Sequence, residues 1–219
     1  MISAVIPAYN EAGVLPETLR ALAHVTLIDE VVVVDDGSSD ATAELAERHG
    51  AKCIRLAVNQ GKGAALRAGI EAAEGDILVL LDADLGETAE QAGLLLAPVL
   101  AGDADLAIAT FPVIPGKGGG LGLVVRLARW GIRRATGRTM AAPLSGQRAM
   151  RRSVLQTIGN PAPRFGVETA MTIDALRAGV RVLEVPTTMT HRVTGRDAAS
   201  VRHRTRQLFD VARALWSRR

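Results

Sequence analysis

The first 110 residues alternate between short apolar runs and segments whose apolar positions recur at helical spacing. The short runs Ser3–Pro7, Glu30–Val34, Ala51–Leu56, Asp76–Leu81 and Ala104–Thr110 predict strands. Between them, Val14–Ala23, Ala41–His49, Gly61–Ala73 and Thr88–Leu100 predict helices. The run from Val31 to Val34 is β-branched and apolar at successive positions, which suits a parallel strand covered on both faces. Strands alternating with helices indicate βαβ units and a mainly parallel sheet, so the expected class is α/β. The second half is less regular. Pro112–Gly122 holds two prolines and five glycines and reads as a loop. Leu123–Ala135 predicts a helix with Arg126, Arg129, Arg133 and Arg134 close to one face and Val124, Leu127, Ala128 and Ile132 on another. A helix over Val167–Ala178, a strand over Val180–Val185 and a last helix over Ala198–Ser217 complete the reading.

Composition narrows this. The chain has 219 residues, 48% of them hydrophobic, enough apolar surface for a core and too much for a disordered chain. The net charge of +3 conceals a division. Residues 1–116 carry 6 basic and 18 acidic groups, net −12, whereas residues 117–219 carry 20 basic and 5 acidic groups, net +15. A basic half suggests an anionic partner. Nucleic acid is one such partner, but aromatic residues amount to 3%, few for stacking on bases. The single cysteine, Cys53, gives no intrachain disulfide. Met1–Pro7 lacks the basic and apolar regions of a secretory signal, and no apolar run reaches 18 residues. The expectation is a cytoplasmic protein.

Candidate chemistry lies at the carboxyl ends of the expected strands, where ligands bind in open α/β sheets. Three polar clusters fall there: Pro7-Ala8-Tyr9-Asn10-Glu11, Asp35-Asp36-Gly37-Ser38 and Asp82-Ala83-Asp84. An aspartate at such a place often only caps a helix, a reading that fits Asp40 or Asp76. Two carboxylates one residue apart after an apolar strand suit a hard cation such as Mg²⁺ or Mn²⁺, completed by phosphates and water. The competing reading is a pair of exposed loop aspartates. Asn59-Gln60-Gly61-Lys62-Gly63 opens a helix, where backbone N–H groups favour an anion and Lys62 adds a point charge. It is neither a Walker A loop nor a dinucleotide fingerprint.

These four stretches, together with Leu81 and Leu85 around the aspartates, resemble the ordered signature of family 2 glycosyltransferases. The resemblance implies a GT-A fold over residues 1–219 as a single domain. Its Rossmann-like half, residues 1–110, would bind a nucleotide-sugar, and residues 111–219 the acceptor. It places Pro7, Tyr9, Glu11 and Asp36 at the base and ribose and Lys62 beside the nucleotide. Asp82, Ala83 and Asp84 would meet the metal and diphosphate.

Two subgroups compete. Asp82-Ala83-Asp84-Leu85 is shared with polyprenol-phosphate sugar synthases, but Gly86 stands where those carry a Gln ligand. Pro143-Leu144-Ser145-Gly146-Gln147, Phe165-Gly166-Val167-Glu168 and His191-Arg192 are similar to glucosyl-3-phosphoglycerate and mannosylglycerate synthases. That likeness implies His191 as a third metal ligand and Glu168 at the acceptor. Gly119, Gly120, Arg126 and Arg192 become acceptor-binding candidates.

The implied reaction is inverting transfer of a hexose from a UDP- or GDP-sugar. Asp84 acts at the leaving diphosphate, and Glu168 as base or positioning group. The acceptor is phosphorylated or a lipid phosphate, with peripheral contact at the inner membrane face and a homodimer both left open. Competing assignments are a nucleic-acid-binding protein, a sugar-nucleotidyltransferase and a silent nucleotide-sugar-binding relative.

Overall fold

The computed structural model describes residues 1–111, 122–159, 166–190 and 215. Its elements run in the order β1 (Ile2–Ala8), α1 (Leu15–Ala23), β2 (Glu30–Asp35), α2 (Thr42–Arg48), β3 (Lys52–Arg55), α3 (Lys62–Ala72) and β4 (Ile77–Leu80). A 3₁₀ helix (Gly86–Gln91), α4 (Ala92–Ala101), β5 (Leu106–Thr110), α5 (Gly122–Thr136), β6 (Arg148–Arg151), α6 (Arg152–Ile158), α7 (Val167–Arg177) and β7 (Val182–Pro186) follow.

Seven strands form one sheet in the order β3-β2-β1-β4-β6-β5-β7. β6 is antiparallel to β4 and β5, and the other pairings are parallel. The chain leaves β1 towards β2 and β3, then returns to β4 on the other side of β1. That reversal opens a crevice at the carboxyl ends of β1 and β4. Alternate residues of the strands feed two apolar layers. Ile6, Val33 and Val79 belong to one with Leu15, Leu22, Leu95 and Leu96. Val5, Val32, Val34, Leu78 and Leu80 belong to the other with Leu66, Ile70, Met171 and Ile173. α3 approaches the sheet closely because Gly69 faces it. A Cβ there would lie 2.5 Å from Val5 Cγ1 and 2.9 Å from Val34 Cγ2.

The expected strands and helices of the first half are all present, shifted by a residue or two, except that Thr88–Leu100 divides into the 3₁₀ helix and α4. β6 and α6 have no counterpart in the sequence reading. Arg148-Ala-Met-Arg carries a charge at each end, so its period is masked, yet Ala149 and Met150 are wholly buried. Arg152 explains another part of the basic half. Its guanidinium donates to the carbonyls of Gly75 (2.7 Å), Ile70 (3.1 Å) and Ala73 (2.7 Å), satisfying acceptors at the end of α3. Leu215 is helical; the rest of the expected last helix lies outside the described residues.

Candidate active site

The first two polar clusters are sewn together beyond β1 and β2. Asn10 adopts a left-handed backbone (φ 56°), its N–H donates to Ser38 Oγ at 2.9 Å, and its Oδ1 accepts the Ser39 N–H at 2.8 Å. The Glu11 N–H donates to Thr42 Oγ1 at 2.9 Å and the Ala12 N–H to Asp40 Oδ2 at 3.2 Å. Asp40 thus fastens loops, in keeping with the structural reading. Tyr9 is 48% exposed at the end of β1, and Pro7 is half-buried in register with Val34.

Asp36 is buried, and its two oxygens accept the backbone N–H groups of Gln60 and Gly61, each at 2.8 Å. Its carboxylate therefore shapes the loop that starts α3. Gly37 must be glycine at this crossing, since a Cβ would lie 2.7 Å from the Val58 carbonyl carbon and the backbone has φ +73°.

The Asp-Ala-Asp turn follows β4 and is anchored from α1. Buried Thr18 donates its hydroxyl to the Ala83 carbonyl (2.8 Å) and accepts the Gly86 N–H (2.9 Å). Gly86 has φ +55°, and a Cβ on it would come 3.1 Å from Glu17 Oε2. The left-handed backbone accounts for glycine here, since the exposed Glu17 side chain could move aside. Ala83 is buried and Asp82 and Asp84 are half-buried.

Three expected site residues converge. Lys62, the first residue of α3, places Nζ 2.6 Å from Asp82 Oδ1 and 2.8 Å from Glu168 Oε1 in the first turn of α7. The side chains are 23% (Lys62), 23% (Asp82) and 13% (Glu168) exposed. Burial works to lower the Lys62 pKa, but the two carboxylates outweigh it and hold the ammonium above the ordinary lysine value. Gln147 Nε2 donates to Asp82 Oδ2 at 2.8 Å. Gly146 makes room for the cluster, for a Cβ there would lie 2.7 Å from Lys62 Nζ and 3.1 Å from both Asp82 oxygens.

Thr18, Gly146 and Gln147 were given no role in the sequence reading. The quoted Ser-Gly-Gln stretch marked the place of the last two; nothing marked Thr18 among the helical residues around it. Arg148 was missed as well. It is 1% exposed, Nε donates to the Ser145 carbonyl at 2.9 Å, and burial pushes its pKa down to about 10 against the raising effect of Glu168.

The arginines of the basic half divide. Arg129 donates to the carbonyls of Met140 and Ala141, Arg151 to Val99, and Arg181 forms a two-pronged pair with Asp105. Arg126, Arg133 and Arg134 stay exposed on α5. Arg129 differs from them in that its guanidinium is taken up by backbone carbonyls. His191, Arg192, Gly119 and Gly120 lie outside the described residues. Among the described residues, no group of three His, Cys, Asp or Glu side chains is placed to hold a metal ion.

Comparison with known proteins gives the family and the fold. Glucosyl-3-phosphoglycerate synthase from Mycobacterium tuberculosis, solved with phosphoglyceric acid, superposes with a TM-score of 0.84 at 29% identity, covering 100% of this chain and 79% of that one. The same enzyme solved with Mn²⁺, UDP and glucosyl-3-phosphoglycerate gives a TM-score of 0.83 at 29% identity with the same coverage. Undecaprenyl-phosphate 4-deoxy-4-formamido-L-arabinose transferase from Pseudomonas aeruginosa is 43% identical over 101 residues, 42% of this chain, and the match spans only 30% of that transferase's length. An uncharacterised Methanocaldococcus jannaschii protein is 31% identical over 194 residues, 84% of this chain and 79% of its own. The sequence model described as Glycosyl transferase family 2 matches residues 3–159, most of the chain, which establishes that the chain belongs to that family of glycosyltransferases.

Proposed function

We propose that the chain is a metal-dependent, inverting hexosyltransferase that uses a nucleotide diphosphate sugar and a phosphorylated acceptor. The observation that carries this reading is the convergence of Lys62, Asp82 and Glu168 beside Asp84 at the crevice between β1 and β4. The donor set suits a divalent cation. Asp82 and Asp84 offer hard oxygens on one anchored turn, and Asp82 already holds a cation, the Lys62 ammonium, at 2.6 Å. His191, by resemblance, adds a nitrogen. Mn²⁺ or Mg²⁺, both found with UDP in the Mycobacterium tuberculosis enzyme, would supply Lewis-acid neutralisation of the leaving diphosphate.

The chain's own residues do the rest. Pro7, Tyr9, Glu11 and the loop shaped by Asp36 receive the nucleoside, and Lys62 meets a phosphate. An acceptor oxygen attacks the anomeric carbon as its bond to the diphosphate oxygen breaks, with both electrons leaving on the nucleoside diphosphate. Where the acceptor is a hydroxyl, Glu168 takes its proton; where it is a phosphate, no proton is removed and Glu168 orients the sugar or acceptor.

A lipid-phosphate acceptor is the second reading, favoured by the likeness to the undecaprenyl-phosphate transferase and by α5. That helix has no acidic residue, and Leu123 (65% exposed), Arg126, Trp130 (59% exposed), Arg133 and Arg134 follow one another at helical spacing. An apolar and cationic stripe fits an anionic membrane surface at the inner face. No described helix is long and apolar enough to cross a membrane.

Thermal-shift measurements with UDP-, GDP- and dTDP-sugars, with and without Mn²⁺, test the donor class. Stabilisation by one nucleotide series only when the metal is present is the expected result. No response to any of them contradicts the proposal.

A further inference from the structure

Arg148 begins β6, in register with Leu80 of β4 and Ile108 of β5, so it enters the sheet at the end where the Asp82 turn leaves it. Its side chain is buried, and its Nε is spent on the Ser145 carbonyl. Nη1 and Nη2 have no hydrogen-bond partner among the described residues. A cation buried with its donors unmet works against folding, and an apolar side chain of similar volume would fill the place better. Such a group calls for a role outside stability. The guanidinium turns back on Ser145, next to Gly146, where a Cβ would lie 2.7 Å from Lys62 Nζ. Lys62 holds Glu168 at 2.8 Å, and the neighbouring Thr169 hydroxyl donates to the Pro143 carbonyl, so Glu168 is the carboxylate that this geometry brings towards Arg148. Lys62 is therefore shared between two tasks under the proposed function. It neutralises Glu168 and Asp82 here, and it is the ammonium suited to a donor phosphate. When Lys62 turns to a phosphate, Glu168 is left nearly buried without its ammonium.

We propose, resting on that reading of the site, that Arg148 is a positioning residue whose free Nη donors take over Glu168 when Lys62 leaves it. The guanidinium is held in reserve, which explains why its donors are unmet while Lys62 occupies Glu168. Its fixed fork then orients the carboxylate towards the acceptor without a second flexible side chain.

A thermal double-mutant cycle reads this without any activity. Arg148→Met is made in the wild-type chain and in Lys62→Met. In the wild type it should leave Tm unchanged or raise it, since an unsatisfied buried charge is removed. In Lys62→Met, where Glu168 depends on Arg148, it should lower Tm by at least about 3 °C, and Arg148→Lys should retain more than half of the difference. Equal Tm changes in the two backgrounds overturn the proposal, as does a collapse of Tm in wild-type chains carrying either Arg148→Met or Arg148→Lys. In turnover, Arg148→Met should reduce kcat about tenfold with nucleoside diphosphate affinity within twofold of wild type, and Arg148→Lys should recover part of kcat. Wild-type kcat in Arg148→Met overturns the inference alone. A wild-type chain that neither binds nor turns over any nucleotide-sugar overturns the function on which it rests.

Discussion

Replacing Lys62 by Met removes the cation shared by Asp82 and Glu168 while keeping most of the apolar stem. The ammonium lies 2.6 Å and 2.8 Å from the two carboxylates, with all three side chains largely withdrawn from solvent. At an effective dielectric constant near 20, each contact has a gross attraction of roughly 6 kcal/mol, most of it offset by desolvation. What remains is the net value of two charge-assisted hydrogen bonds and the loss of separation between two carboxylates. Gln147 still holds Asp82, and the Arg148 cation acts on Glu168, so we expect a net loss of about 2 kcal/mol. In a 219-residue chain that corresponds to a Tm drop of roughly 4–8 °C. The assay is thermal unfolding of both proteins in EDTA, followed by addition of Mn²⁺. The variant should be the less stable in EDTA and should gain more from Mn²⁺ than the wild type, since Asp82 no longer has an ammonium to release. A Tm within about 2 °C of wild type in EDTA, with an equal response to Mn²⁺, refutes the reasoning.

Two further predictions concern the scaffold. Gly69→Ala would normally stabilise a helix interior by up to about 1 kcal/mol. Here the new Cβ meets Val5 and Val34 methyls, so α3 should be pushed from the sheet at a cost of about 1–3 kcal/mol, and a raised melting temperature contradicts the packing described. The Arg181 hydrogen bonds hold the Asp105 pKa below the usual carboxylate value. Because the folded pKa is depressed, this stability is present above the unfolded value near 4 and is lost as pH falls through the folded value. Arg181 is 57% exposed, so solvent screening keeps the effect small. Denaturant titrations at pH 7 and pH 3 should show a smaller pH-dependent loss in Asp105→Asn than in the wild type, and equal losses remove the pair from the pH response.

Most of residues 1–110 is readable from sequence because β1, β2 and β4 are largely apolar runs and a polar cluster closely follows each. Val31–Val34 with Asp35-Asp36 behind it needs no tertiary knowledge to be read as a buried strand with a polar cluster at its carboxyl end. β6 is different. Its two arginines contradict its burial, and only register against Leu80 and Ile108 shows why one of them lies inside. Asp36 shows a second limit. Its position in the signature was legible, but that both of its oxygens are taken by the Gln60 and Gly61 backbone depends on the loop's path. The basic half carries a third. Charge counting cannot separate Arg152, which closes the end of α3, from Arg126, which faces solvent. Among the described residues, Arg129, Arg151, Arg152 and Arg181 serve the fold, so fewer of these cations can meet an anion than the count suggests.

The most direct test of the central claim is a calorimetric titration of UDP, GDP and dTDP into the wild type and Asp84→Ala, each with and without Mn²⁺. The account predicts that one nucleoside diphosphate binds the wild type at least tenfold more tightly with Mn²⁺, and that Asp84→Ala loses this enhancement while its unliganded Tm stays within a few degrees of wild type. Equal metal-dependent affinity in Asp84→Ala, or wild-type binding indifferent to Mn²⁺, contradicts the assignment of the Asp82–Asp84 turn to the metal and diphosphate.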